Sequence, residues 1–146
     1  MVEISNRRAR FDYFIEDEIE CGIELVGTEI KSFRKGSASI VDSYGLIRNN
    51  EVYLLNSYIA KYDEGNRFNH DERRERKLLL HKDEIRKLSE KVKLQGISLI
   101  PLKMYFKGNK VKVLLGVCKG KKLYDKRETI KQRDIQREVA KNLKRY

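Results

Sequence analysis

The 146-residue sequence predicts a mainly β fold with helices, arranged as a small antiparallel barrel with a basic C-terminal tail. Three observations lead there: short β-rich runs set off by turn residues, a two-residue turn between the last two runs, and only two helical patterns in the body.

The elements follow in chain order. Residues 13–15 and 22–26 look like short strands with an acidic turn between them. Thr28 is placed to N-cap a short helix that carries Ile30 and Phe33 on one face and stops at Gly36. Lys31 and Arg34 then point away from the core. Residues 44–47 and 52–59 are β-rich and joined by Asn49-Asn50, a turn sequence. Residues 82–95 show Ile85, Leu88 and Val92 at helical spacing, with Asp83 and Glu84 in the first turn and Gly96 at the end. Residues 97–106 form a strand whose Pro101 predicts an edge or a bulge. Residues 111–117 alternate Val111, Val113, Leu115 and Val117 onto one face. Gly108-Asn109 joins these last two strands as a tight hairpin. An OB-like barrel fits this order and commonly offers one face to RNA or single strands.

Charge narrows the partner. The net charge is +11 and 38% of residues are charged. Such an excess is not needed for folding and draws the chain to anions. Residues 119–146 hold eleven Lys/Arg against four Asp/Glu, so the last fifth carries most of the excess. The expected division is therefore a body, residues 1–118, and a tail, residues 119–146. No stretch is apolar enough to span a bilayer or serve as a signal peptide, so no membrane role and a cytoplasmic location are expected. Cys21 and Cys118 are read as reduced and structural.

Catalytic patterns are weak. The stretch from Gly116 to Lys122 lacks the glycine spacing and the Ser/Thr of a phosphate-binding loop. His70, beside Asp71, has no identifiable nucleophile to serve. Glu16-Asp17-Glu18 reads as a solvated turn rather than a cation site. No metal, cofactor or catalytic residue is expected. Basic side chains interleaved with rings make the stronger case, because Arg and Lys neutralise phosphates while rings stack on bases. Arg7, Arg8 and Arg10 precede Phe11, Tyr13 and Phe14. Residues 73–77 follow a polar loop with Asn66, Arg67, Phe68 and Asn69. The RNA-contact candidates from this pattern are Arg8, Arg10, Tyr13, Lys31 and Lys77. In the tail, Lys119, Lys121, Lys122, Lys126 and Arg127 surround Tyr124. A helix can start at Asp125, which with Glu128 has capping-box spacing. Ile135, Val139 and Leu143 form a narrow stripe, so the tail is expected to be frayed when free and helical on RNA.

The motifs Asn6-Arg7-Arg8-Ala9-Arg10, Gly27-Thr28-Glu29-Ile30-Lys31-Ser32, Asp42-Ser43-Tyr44, Arg76-Lys77-Leu78-Leu79-Leu80 and Gly120-Lys121-Lys122-Leu123-Tyr124-Asp125-Lys126-Arg127 occur in order. Together they resemble the small protein B family, the SsrA-binding proteins that partner bacterial transfer-messenger RNA. Phe33, where the family often has leucine, and Glu72, where proline is common, depart from the pattern. The resemblance implies an OB-like monomer that binds the tRNA-like domain of transfer-messenger RNA and brings it to stalled ribosomes for trans-translation. It implies RNA binding by Asn6, Glu20, Leu79 and Lys112, with Leu79 open between core and contact. It also implies a tail that lies in the empty mRNA path near the decoding centre, where Lys119, Lys121, Lys122, Tyr124, Asp125, Lys126 and Arg127 act and Tyr124 stacks. Elongation factor Tu stays open as a further partner. The alternatives from charge and fold alone are a general RNA-binding barrel, or an RNA-processing enzyme using His70 and Asp71.

Overall fold

The computed structural model describes the backbone of residues 2–63 and 69–144, and their side chains except at 94–95, 123–125 and 138–144. The described chain runs β1 (Glu3–Ser5), α1 (Ala9–Asp12), β2 (Tyr13–Ile23), α2 (Gly27–Arg34), β3 (Ala38–Ser39), β4 (Tyr44–Arg48), β5 (Glu51–Leu55), β6 (Tyr58–Ile59), β7 (Arg76–Leu79), α3 (Lys82–Gln95), β8 (Ser98–Lys107), β9 (Lys110–Gly120) and α4 (Leu123–Lys144). Every pairing among the described residues is antiparallel.

The larger sheet closes on itself. Its strands follow the order β8–β4–β5–β7–β2–β9, and β9 pairs again with β8. β1 adds to β8, while β3 and β6 form a separate small pair. Alternation fills the interior: Val111, Val113, Leu115 and Val117 point inward from β9, Val52 and Leu54 from β5, and Leu78 from β7. Ile85 and Leu88 bring α3 onto this core, and Phe33 does the same for α2. Phe33 lies 5.2 Å from the Phe106 ring, a partner that suits an aromatic side chain at this position.

Several local predictions hold. Asn49 and Asn50 both adopt left-handed backbone, with φ of 52° and 59°, as the tight β4–β5 hairpin requires. Gly108 has φ 63° and closes the β8–β9 hairpin, which pairs Lys107 with Lys110. Pro101 sits where the β8–β9 register shifts, at a bulge that spares its missing N–H. Gly96, at φ 61°, ends α3.

Others are corrected. The short strands expected at 13–15 and 22–26 are replaced by one strand, β2, which has a bulge between Ile15 and Asp17 and ends at Ile23, leaving 24–26 outside any strand. Its partner β9 is equally long, and the bulge takes up Glu16 while Asp17 and Glu18 pair with Val117 and Gly116, so the ladder continues through the acidic run. Val26, not Thr28, occupies the N-cap of α2, because the Glu29 carboxylate accepts the Val26 N–H at 2.9 Å from within the first turn. The strand expected over 52–59 breaks at Asn56, whose φ is 61°. β7 is a strand not expected from the sequence, running from the end of the basic cluster at 73–77 to Leu79. β9 continues through Cys118 to Gly120, and α4 starts at Leu123, so Asp125 lies inside the first turn rather than at a cap.

One buried ion cluster joins α2 to the barrel. Glu29 and Arg76 are both without exposure and meet at 2.6 Å. Arg74 donates to the same carboxylate at 2.6 Å. Arg76 also donates to the carbonyl and hydroxyl oxygens of Ser57, each at 2.8 Å. Burial alone would raise the Glu29 carboxyl, but the hydrogen bonds from Arg74 and the Val26 N–H, with Arg76 beside them, hold it below the ordinary range. This cluster fixes α2 against β7, which sets the walls of the site below. Among the described residues, no helix is long and apolar enough to cross a membrane.

Candidate nucleic-acid interface

Strand parity assembles the principal site. In β7, Arg76 and Leu78 face the core, so Lys77 and Leu79 face outward. Leu79 is 50% exposed, which makes it a surface residue and removes the core alternative. Gly22 of β2 lies opposite Leu79, and Lys112 of β9 lies opposite Gly22. Glu20 shares the outer face of β2 with Gly22. Glu20, Lys77, Leu79 and Lys112 therefore line one groove of about 660 Å³, together with Lys82, Lys110 and Ile30 of α2. Four lysines line it beside Glu20, Glu51 and Glu84, with Lys77 paired to Glu51 at 3.7 Å, so the partly apolar groove carries a small cationic excess that suits a nucleic-acid backbone with its sugars and bases.

Glu20 is not idle in this groove. Its carboxylate accepts the Tyr105 hydroxyl at 2.5 Å and the Lys107 ammonium at 3.0 Å. The Tyr105 bond, then the Lys107 bond, hold the Glu20 carboxyl below the ordinary glutamate range. Tyr105 and Lys107 were not among the residues singled out from sequence. The signal was present, because a two-residue turn at Gly108-Asn109 places Tyr105 opposite Lys112.

The N-terminal candidates lie elsewhere. Asn6, Arg8 and Tyr13 line a second groove of about 720 Å³ with Ser43, Tyr44 and Leu46. Asn6 is buried, and its amide donates to the carbonyls of Pro101 at 3.1 Å and Ile40 at 3.4 Å. That bonding ties β8 to the segment before β4. Asn6 Oδ1 and Ser43 Oγ are buried without a hydrogen-bond partner among the described residues. Arg8 is open to solvent with Asp12 at 3.6 Å, and Arg10 reaches Glu18 at 4.0 Å. Lys31 is exposed on α2 and lies 5.5 Å from the Tyr62 ring, in neither groove. Asn66, Arg67 and Phe68 lie outside the described residues.

The tail residues begin on the barrel and leave it along α1. Lys119 is an exposed strand residue paired with Phe14. Lys121 donates from its ammonium to the Arg10 carbonyl at 2.9 Å and from its N–H to the Asp12 carbonyl at 2.8 Å. Lys126 pairs with the Asp12 carboxylate at 3.2 Å. The Phe11 ring has Arg133 at 5.5 Å and Lys126 at 5.8 Å. The first turns of α4 thus rest on α1, while Lys122, Arg127, Ile130 and Ile135 are exposed. The side chains of Tyr124, Asp125, Val139 and Leu143 lie outside those described.

The residues weighed for catalysis are occupied. His70 is 6% exposed, and its Nε2 lies 2.9 Å from the Ile59 carbonyl. A carbonyl only accepts, so Nε2 carries the proton and Nδ1 accepts from the Thr28 hydroxyl at 2.8 Å. Both ring nitrogens are thus engaged within the protein. These contacts give His70 a structural role between α2 and β6. Burial pushes the Cys21 thiol up to about 12 and Cys118 up to about 11, so both stay protonated and unreactive. The stretch that resembled a phosphate-binding loop lies mostly within strand β9.

Comparison with known proteins extends this picture. The family model described as SmpB protein matches residues 3–145. The chain is 58% identical over 139 residues to the SsrA-binding protein of Staphylococcus saprophyticus, which covers 95% of this chain and 90% of the relative. The SsrA-binding protein of Staphylococcus aureus strain JH1 gives the same figures. A chain from the solved structure "tmRNA-SmpB: a journey to the center of the bacterial ribosome" is 49% identical, with a TM-score of 0.69, and the match covers 83% of this chain and 85% of that one.

Proposed function

This chain belongs to the SmpB family, and from that premise we propose that it binds transfer-messenger RNA at the tRNA-like domain and delivers it to stalled ribosomes for trans-translation. It works there by binding, without a cofactor, and in the cytoplasm. The observation that carries the reading is the convergence of Glu20, Lys77, Leu79 and Lys112 in one outer groove. Lysines supply sequence-independent attraction to phosphates, and the apolar and acidic positions between them add discrimination for a particular RNA shape. The solved tmRNA–SmpB relative on the bacterial ribosome supports the same pair of partners.

In this proposal the body and the tail divide the work. The groove holds the RNA, with Arg8, Arg10, Tyr13 and Lys31 as further contacts. Asn6, being buried, supports the second groove by holding its backbone walls together. The tail enters the empty mRNA path near the decoding centre, where Lys119, Lys121, Lys122, Lys126 and Arg127 meet ribosomal RNA and Tyr124 stacks. The contacts that Lys121 and Lys126 make with α1 are then exchanged for contacts with phosphates. Elongation factor Tu is a further candidate partner of the assembled complex.

The test is a gel-shift competition at physiological salt between transfer-messenger RNA, bulk tRNA and random RNA of equal length. Clear preference for transfer-messenger RNA is expected. Equal binding to all three would reduce the protein to a general RNA binder, since purely ionic association does not discriminate.

A further inference from the structure

We propose that Tyr105, beside the outer groove as the strand partner of Lys112, contacts RNA directly and that Glu20 is its positioning residue. The inference rests on that groove being the RNA-binding site and adds to it a side chain and a ligand group. Tyr105, Lys112, Gly22 and Leu79 are successive partners across β8, β9, β2 and β7, so they form one row on the outer face. Gly22 has no side chain, and a Cβ there would come within 3.2 Å of the Leu79 Cβ. The middle of the row is therefore a bare stretch of backbone beside an exposed leucine. A ribose or base edge can lie on it at close range, with Lys112 and Tyr105 at its other side.

Glu20 reaches this row from the side. One carboxylate oxygen accepts the Tyr105 hydroxyl and the other accepts Lys107. Both oxygens are thus engaged within the protein before RNA arrives. The bond to Glu20 fixes where the phenol proton points, and it leaves the phenol oxygen as an acceptor strengthened by the adjacent negative charge. The donor that RNA offers at each nucleotide is the ribose 2′-hydroxyl. The ligand class is accordingly a ribonucleotide step, with its phosphate on Lys112, its 2′-hydroxyl on Tyr105, and its sugar or base against Leu79 above Gly22. Burial and then the Glu20 bond push the Tyr105 phenol up to about 12, so it stays protonated and aligned at neutral pH.

The experiment measures affinity for transfer-messenger RNA in Tyr105→Phe, Glu20→Gln and the double variant, with thermal melting as a check of folding. Tyr105→Phe should weaken binding about tenfold, the effect of one well-formed hydrogen bond. Glu20→Gln should weaken it to a similar degree, and the double variant by little more than either, whereas independent contacts would multiply to about a hundredfold. Absorbance titration gives a readout that loss of packing alone would not move. The Tyr105 contribution, taken against the matching Phe variant, should titrate earlier in Glu20→Gln than in wild type. A tRNA-like domain carrying 2′-deoxyriboses should bind wild type and Tyr105→Phe alike. Tyr105→Phe within twofold of wild type, or multiplicative losses in the double variant, would overturn the inference. Loss of preference for transfer-messenger RNA by wild type itself would instead defeat the function on which it rests.

Discussion

Arg76 holds a full charge where no solvent reaches it. It is tolerated because Glu29 and Ser57 accept from its guanidinium, and the energy lies in completing the cluster rather than in the pair itself. Arg76→Leu removes one member, leaving the Glu29 carboxylate buried with Arg74 and the Ser57 oxygens short of a donor. The expected loss is about 3–5 kcal/mol in urea unfolding, the usual effect of breaking a buried pair from one side. A loss under about 1 kcal/mol, as for exposed pairs, would mean that Glu29 finds other partners. The sequence shows seven consecutive charged residues at 71–77 and no hint that one of them points inward. Charge argued against a strand there, and the partner Glu29 is remote in the chain. The same parity that buries Arg76 exposes Leu79, so the status of Leu79 became legible only once β7 existed.

At the level of elements, hairpins were legible and long-range pairings were not. Asn49-Asn50 and Gly108-Asn109 declare themselves because left-handed backbone favours those residue types. The joining of residues 13–23 into one strand depends on β9, which no local pattern in that segment reveals. β9 also decides how the tail can be tested. A chain ending at Val117 would lose Cys118, which is fully buried, along with the strand residues that pair with Tyr13, Phe14 and Ile15. A chain ending at Gly120 keeps the ladder whole. It should bind transfer-messenger RNA within about threefold of the full protein, the tail adding only screened ionic attraction, while tagging of stalled chains is lost. Tagging by the shortened chain in a reconstituted translation reaction would refute the role given to α4; collapse of RNA binding would refute the division between body and tail.

For the whole molecule, the charge excess predicts how stability responds to acid. Glu29 and Glu20 both lie below the ordinary glutamate value of about 4.3. Their depressed values mean that the folded state binds fewer protons than the unfolded chain just below that pH. Their contribution is therefore complete above it and is lost as pH falls through their folded values. Urea midpoints should be flat between pH 7 and 5 and drop steeply towards pH 3, and a stable Glu29→Gln protein should show a shallower drop. An unchanged slope in that variant would place the acid sensitivity elsewhere. The closed ring of strands has a consequence for biogenesis. Among the described residues Tyr13 pairs across the sheet with Gly120, so the first long strand to leave the ribosome waits for β9. Until then its edge is unpaired and open to proteases or to other nascent chains. Folding should accordingly be post-translational and comparatively slow, and a fragment stopped before β9 has no barrel to form. Cells would carry the protein finished or scarcely at all.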